Sequence, residues 1–250
     1  MTEQNDSPWI RRFHPPAADA PRLVCFPFAG GAANCYFQLS RALSPEVEVL
    51  VIQYPGRQER LDEPCMESVQ ALADRIFDEL SEHGLADQPL TLFGHSMGSL
   101  VAFEVALRLQ GHRTTPRSLI ASGSRAPSAR HEGSSSFTDE ELIEELRNLN
   151  GTDEKLLLNQ EFMTLVLTVL RSDYRAVASY HHASNSRLSC PITVLSGDQD
   201  PLVPAATAGA WEQHTSLAFR QQVFPGGHFF LDDHVDAIRQ TVREHVVPLS

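Results

Sequence analysis

Six short apolar runs rich in β-branched and aromatic residues lie at 22–26, 47–53, 90–93, 117–121, 192–195 and 219–224. Segments with apolar residues at helical spacing separate many of them. That alternation predicts an α/β fold, a mostly parallel central sheet flanked by helices on both faces. The clearest helix spans 65–83, where Val69, Leu72, Ala73, Ile76, Phe77 and Leu80 recur at i, i+3, i+4, i+7, i+8 and i+11 and make a stripe for one sheet face. Gly84 stands where a C′ glycine ends a helix. A second helix is predicted from Met97 to about Leu109, with Leu100, Val101, Val105 and Leu109 on one side and Gly111 closing it.

The alternation stops between Ala126 and His182. A polar Ser/Gly stretch at 132–136 leads into Thr138-Asp-Glu-Glu141, which fits an N-cap followed by Glu at N3. Helix-forming segments follow at 138–149, 154–158 and 160–180. An all-helical insertion at 126–182, between late strands of a parallel sheet, reads as a lid over the carboxyl edge, where such sheets bind ligands. An ordinary helical excursion without gating is the alternative.

The chain has 250 residues, 42% hydrophobic and 21% charged, enough for a sizeable core. Residues 1–250 are read as one domain carrying the insertion, since α/β folds often reach about 250 residues as one unit. The longest apolar stretches fall far short of the roughly 20 residues of a membrane span. The N-terminal segment lacks the basic and apolar regions of a signal peptide, so a cytoplasmic location is expected. Cys25, Cys35, Cys65 and Cys190 form no C-x-x-C pair, so they read as free thiols and no metal site is expected. Thirty-two acidic against twenty basic side chains give a formal charge of -12, which argues against a nucleic-acid partner. With no obvious exposed apolar helix or unprotected edge strand, a monomer is expected.

The candidate chemistry begins where run 90–93 meets Gly94-His95-Ser96-Met97-Gly98 and a helix follows at once. A strand-to-helix reversal this tight holds its central serine in strained backbone geometry and requires small residues two positions either side. Ser96 is therefore the candidate nucleophile. His95 reads as a packed histidine pointing away from the chemistry. A serine hydroxyl needs a general base, itself oriented by a third group, and in this architecture both come from loops after later strands, acid before histidine. Run 192–195 is followed by Ser196-Gly-Asp198-Gln-Asp200-Pro201, and run 219–224 by Pro225-Gly-Gly-His228. His228 is the candidate base. Asp200 is favoured as its partner, since Gly-x-x-Asp-Pro sets it just outside the turn, with Asp198 as the alternative. His181 and His182, at the end of the insertion, read as solvated.

Attack by a serine creates an oxyanion, which backbone N–H groups stabilise. The Met97 amide, at a helix N-terminus, is one candidate donor. The second is expected from Phe28 or Ala29, in the glycine-rich loop Phe26-Pro-Phe-Ala-Gly-Gly31 after the first run. The two are not separable by sequence.

Taken together, Phe26-Pro-Phe-Ala-Gly-Gly-Ala32, Tyr54-Pro-Gly-Arg-Gln-Glu-Arg60, Gly94-His-Ser-Met-Gly98, Gly197-Asp-Gln-Asp200 and Gly226-Gly-His228 resemble the type II thioesterases that accompany polyketide synthases and nonribosomal peptide synthetases. The resemblance implies the α/β-hydrolase fold. It also implies hydrolysis of acyl groups from the phosphopantetheine arm of acyl or peptidyl carrier proteins, with no cofactor beyond the arm the substrate carries. A medium-chain acyl thioesterase or general carboxylesterase acting on free substrates, such as small acyl thioesters, could use the same triad. A non-catalytic carrier-binding protein is the reading from another class. Carrier proteins are usually acidic, so a local basic face is expected, from Arg57 and Arg60 or from Arg125 and Arg130.

Overall fold

The computed structural model of the chain describes residues 7–129, 138–148, 160–182 and 186–246. One sheet holds β1 (Ile10–Arg11), β2 (Arg22–Phe26), β3 (Glu48–Ile52), β4 (Leu90–His95), β5 (Ser118–Ser122), β6 (Ile192–Gly197) and β7 (Phe219–Phe224). Its order is β1-β3-β2-β4-β5-β6-β7, with β1 antiparallel to β3 and every other pair parallel. The six apolar runs are the six longer strands, with ends shifted by no more than two residues. The helices are α1 (Phe37–Leu43), α2 (Val69–Glu82), α3 (Met97–His112), α4 (Asp139–Asn148), α5 (Gln160–Ala178), α6 (Ala205–Ala208) and α7 (Val235–Val246).

Alternation along β2 places both faces of the sheet in a core. Val24 and Phe26 pack in one cluster with Leu72, Ile76, Leu100 and Phe103 of α2 and α3, and Leu23 and Cys25 in another with Leu39, Leu43, Ile238 and Val242 of α1 and α7. α2 begins at Val69 rather than at Cys65 because Ser68 caps it, Oγ accepting the Ala71 N–H at 3.2 Å. It stops as its sequence predicts, with Gly84 at φ +65° and the Leu85 N–H donating to the Leu80 carbonyl at 2.7 Å. α3 runs past Gly111 to His112. A glycine costs a helix about 1 kcal/mol without forbidding it, and the buried Leu109 holds that turn.

α4 opens on a reciprocal cap. Thr138 Oγ1 accepts the Glu141 N–H at 3.2 Å, and Glu141 Oε2 accepts the Thr138 N–H at 2.8 Å. The helix expected at 154–158 lies outside the described residues. Leu142 of α4 and Met163, Leu167 and Leu170 of α5 form a small core that also contacts Ala29, just beyond β2. The described helices of the insertion, α4 and α5, thus pack on the carboxyl edge of the sheet. No described helix is long and apolar enough to cross a membrane.

The chain winds outward from β2 to β3, then returns to place β4 on the other side of β2. Such a reversal opens a crevice outside the carboxyl ends of the two central strands. In register, Phe26 stands beside Gly94. The loop after β2 and the turn after β4 therefore leave the sheet side by side.

Candidate active site

Ser96 joins β4 to α3 with φ +54° and ψ -121°, a conformation that costs a non-glycine residue about 1–3 kcal/mol. Its surroundings hold it there. The Ser96 N–H donates to the Ser122 carbonyl at 2.8 Å, and Ser99 Oγ donates to the Gly94 carbonyl at 2.8 Å and the Ser122 carbonyl at 3.1 Å. A Cβ on Gly94 would overlap the Gly98 backbone, and one on Gly98 would overlap the Phe26 carbonyl oxygen. The glycines of the G-x-S-x-G motif thus let the first turn of α3 lie against both the strand before it and the loop after β2.

His228 follows β7 and Asp200 follows β6. The two loops are tied by the Gln199 N–H, which donates to the Gly226 carbonyl at 2.9 Å, and by Asp198 Oδ1, which accepts the Gly226 N–H at 2.9 Å. Asp198 is thereby spent on the turn. Asp200 Oδ2 meets His228 Nδ1 at 2.8 Å, and its Oδ1 accepts the N–H groups of Leu202 and Val203 at 2.9 and 3.2 Å. A carboxylate only accepts, so Nδ1 carries the hydrogen and Nε2 keeps its lone pair. Of the two aspartates, the geometry brings Asp200 to the histidine.

The His228 ring lies 5.0 Å from the ring of His95, the neighbour of Ser96. A Cβ on Gly123, just after β5, would stand 2.6 Å from His95 Cε1 and 3.4 Å from His228 Cε1. Both imidazoles therefore sit over the ends of β4 and β5. His95 is a packed histidine, as its position predicts, yet it packs against His228 rather than away from it. Its Nδ1 meets Ser122 Oγ at 3.0 Å, and burial, reinforced by the neighbouring His228, holds its pKa well below the ordinary histidine value. Phe28 and Phe229 pack edge to face at 4.8 Å against this pair and line a cavity of about 280 Å³ with Tyr36, Phe93 and His95.

Met97 is the first residue of α3, so its N–H has no partner within the helix. Phe28 and Ala29 lie in the loop that Gly98 touches, and both remain candidates for the second donor. His181 is exposed, but His182 packs 5.3 Å from Phe103 and from His214 rather than in solvent.

Two of the arginines expected on a docking face, Arg57 and Arg60, are a correction. They are buried, at 5% and 4% exposure. Arg57 forms a two-pronged ion pair with Asp173 of α5 at 2.9 and 3.0 Å and donates to the Gly31 carbonyl at 3.1 Å. Arg60 stacks on Trp9 at 4.2 Å and donates to the Gln53 carbonyl and to Glu63. Sequence shows a charge but not its burial, and both guanidinium groups are engaged inside the fold. Arg125 is half-buried and donates to the Leu202 carbonyl at 3.0 Å; Arg130 lies outside the described residues. Asp173 escapes sequence reasoning, although an acidic residue that continues the i, i+3 spacing of Leu167 and Leu170 on an apolar face is a signal of a buried partner.

Residues 21–246 match the profile of a family described as "Thioesterase domain". The chain is 44% identical to a "Probable cadicidin biosynthesis thioesterase" of Streptomyces griseus, over 96% of this chain and 66% of that protein's length. It is equally identical to "Thioesterase PikA5" of Streptomyces venezuelae, over 96% of this chain and 85% of that protein. Among solved structures it resembles that of "the type II thioesterase BorB from the borrelidin biosynthetic cluster", with a TM-score of 0.89, 41% identity, and coverage of 96% and 98% of the two chains.

Proposed function

Because the chain belongs to the thioesterase family and is a hydrolase of acyl thioesters, we propose that it releases acyl groups from the phosphopantetheine arm of acyl or peptidyl carrier proteins, through Ser96, His228 and Asp200. The observation that carries this reading is the 2.8 Å contact of His228 with Asp200, joined to the strained backbone of Ser96 at the turn from β4 to α3. In the first step Ser96 Oγ attacks the thioester carbonyl carbon and its proton passes to His228 Nε2. The carbon–sulfur bond then breaks, and the leaving thiolate takes that proton. Water next attacks the acyl-serine, His228 again receives a proton and returns it to Ser96, and the free acid departs. Asp200 holds the imidazole in the productive tautomer and stabilises the imidazolium. Met97 N–H and the N–H of Phe28 or Ala29 would hold the oxyanion, each donor worth about a hundredfold to a thousandfold in rate.

A thiol with a pKa near about 8.5 leaves far more readily than an alcohol, so the triad suits thioesters without excluding esters. The relatives' place in polyketide and nonribosomal peptide clusters supports the carrier-bound substrate and an editing role, the removal of stalled or mis-primed acyl groups. Such chemistry draws no cofactor from the protein. The helices α4 and α5 would act as a lid that excludes water from the acyl-enzyme. Arg125, near the loop of Asp200, is the described arginine left to meet the acidic carrier or the arm's phosphate. Turnover of one acyl group on carrier protein, coenzyme A and p-nitrophenol tests the reading. It expects kcat/KM at least about tenfold higher for the carrier, a difference of about 1.4 kcal/mol; equal values, or a preference for the ester, would favour a general esterase.

A further inference from the structure

The Arg57–Asp173 pair joins the helical insertion to the loop after β2, and what it holds there is the backbone of that loop. Asp173 Oδ2 accepts the Gly30 N–H at 2.7 Å while taking Arg57 Nη1 at 3.0 Å; its Oδ1 takes Arg57 Nη2 at 2.9 Å. Arg57 Nη1 also donates to the Gly31 carbonyl at 3.1 Å. One carboxylate and one guanidinium thus grip two consecutive glycines of the loop, Gly30 by its N–H and Gly31 by its C=O. Gly30 has φ +78°, and a Cβ there would stand 3.0 Å from Leu170 Cδ1, one turn before Asp173 on α5. The loop lies directly against that face.

The grip is itself anchored. Gln53 Nε2 donates to the Arg57 carbonyl at 3.1 Å, and Gln53 Oε1 accepts the Ala33 N–H at 2.7 Å. Tyr36 and Tyr54 hydroxyls donate to the carbonyls of Phe26 and Pro27 at 3.0 and 3.3 Å. Residues 26–33 are therefore fastened at both ends, and Asp173 fastens the middle. A buried ion pair is a poor source of net stability, because desolving two charges costs about as much as their attraction returns. What such a pair supplies is a fixed geometry. Oxyanion donors act only within about 2.7–3.1 Å of the developing charge, and a displacement of about 1 Å can cost on the order of a hundredfold in rate.

We infer that Asp173 is a positioning residue: from the helical insertion it sets the backbone of the 28–31 loop, with Arg57 locking its carboxylate in place. The inference rests on the reading of Phe28 or Ala29 as an oxyanion donor. It couples the insertion to the acyl-transfer step through two residues that touch no substrate.

The test compares wild type, Asp173→Asn and Arg57→Lys, each with active sites counted by a fluorophosphonate, on a short acyl N-acetylcysteamine thioester. The asparagine keeps an oxygen for Gly30 but loses the ion pair. Per counted site, kcat should fall about tenfold to a hundredfold while KM moves by less than about threefold. Binding of a trifluoromethyl ketone analogue, whose tetrahedral adduct needs the oxyanion donors, should weaken in step. A lowered melting temperature with kcat per counted site within about twofold of wild type would mean a purely structural pair and would overturn the inference. Should Asp173→Asn fail to fold, Arg57→Lys, which keeps the charge but not the fork, carries the same two outcomes. Wild type that neither takes the label on Ser96 nor hydrolyses the thioester would strike the functional reading instead.

Discussion

Asp200 uses its two oxygens for two different tasks: Oδ2 meets His228 Nδ1 at 2.8 Å, and Oδ1 caps the backbone of Leu202 and Val203. Asp200→Asn can keep the second task while spoiling the first, since an amide nitrogen facing Nδ1 favours the wrong tautomer. The expected result is a loss on the order of 10⁴ in kcat with little change in melting temperature. Asp198→Ala should do the reverse. It removes one turn hydrogen bond, to Gly226, so stability falls by about 1 kcal/mol and turnover stays within a few-fold. Steady-state rates and denaturant titrations on both variants check the pair.

Gly98→Ala should unfold or severely destabilise the protein, by more than about 3 kcal/mol, because its Cβ would overlap the Phe26 carbonyl oxygen and only backbone movement could relieve it. Gly111→Ala, where a Cβ meets nothing and the residue is helical, should stabilise by about 0.5–1 kcal/mol. Urea unfolding distinguishes the two.

Stability should fall on acidification through a histidine outside the catalytic group. Burial, with help from His182 and Arg187, lowers the pKa of His214 to about 4. Its Nε2 accepts the Ser128 N–H at 3.3 Å, a bond that protonation would break. Between pH 6.5 and about 4 the unfolded chain binds a proton that the folded chain refuses. Unfolding free energy should therefore drop as pH falls through that window, by up to about 1.4 kcal/mol per unit for each such histidine, and level off below it. His95 and His245, also lowered by burial, act in the same direction. His214→Gln should remove one proton's worth of slope in denaturation curves taken at several pH values.

Arg60→Ala should act on stability rather than on recognition. It strips a buried guanidinium from Trp9, the Gln53 carbonyl and Glu63, at a cost of about 2–3 kcal/mol. The ratio of KM values for acyl-carrier and small thioester should be unchanged. A selective rise for the carrier would return Arg60 to the docking face.

The parts of the site that sequence reveals are those written in contiguous residues. The elbow at 94–98, the Asp200 loop and the His228 loop each follow directly from a β-like run, so strand-to-loop order places them without tertiary knowledge. What sequence conceals is pairing across distance. Arg57 and Asp173 stand 116 positions apart, and Arg57 looks like any surface cation until α5 is laid over it. α1, at seven residues, is too short for a periodic signal. α7 is different, because Val235, Ile238, Val242 and Val246 do carry a helical period, yet the sequence reading assigns no helix after the His228 loop. Between Asp200 and Asp198 the Gly-x-x-Asp-Pro pattern favours the first, and the backbone path of their shared turn decides it by facing the Asp200 carboxylate to the imidazole and the Asp198 carboxylate to Gly226.

The most direct test of the account is intact-protein mass spectrometry after brief mixing with a slowly hydrolysed acyl thioester. Wild type should gain the mass of one acyl group, mapped by peptide analysis to Ser96, and Ser96→Ala should gain none while keeping its fold. An acyl adduct that persists in Ser96→Ala, or that maps to another residue in wild type, would contradict it.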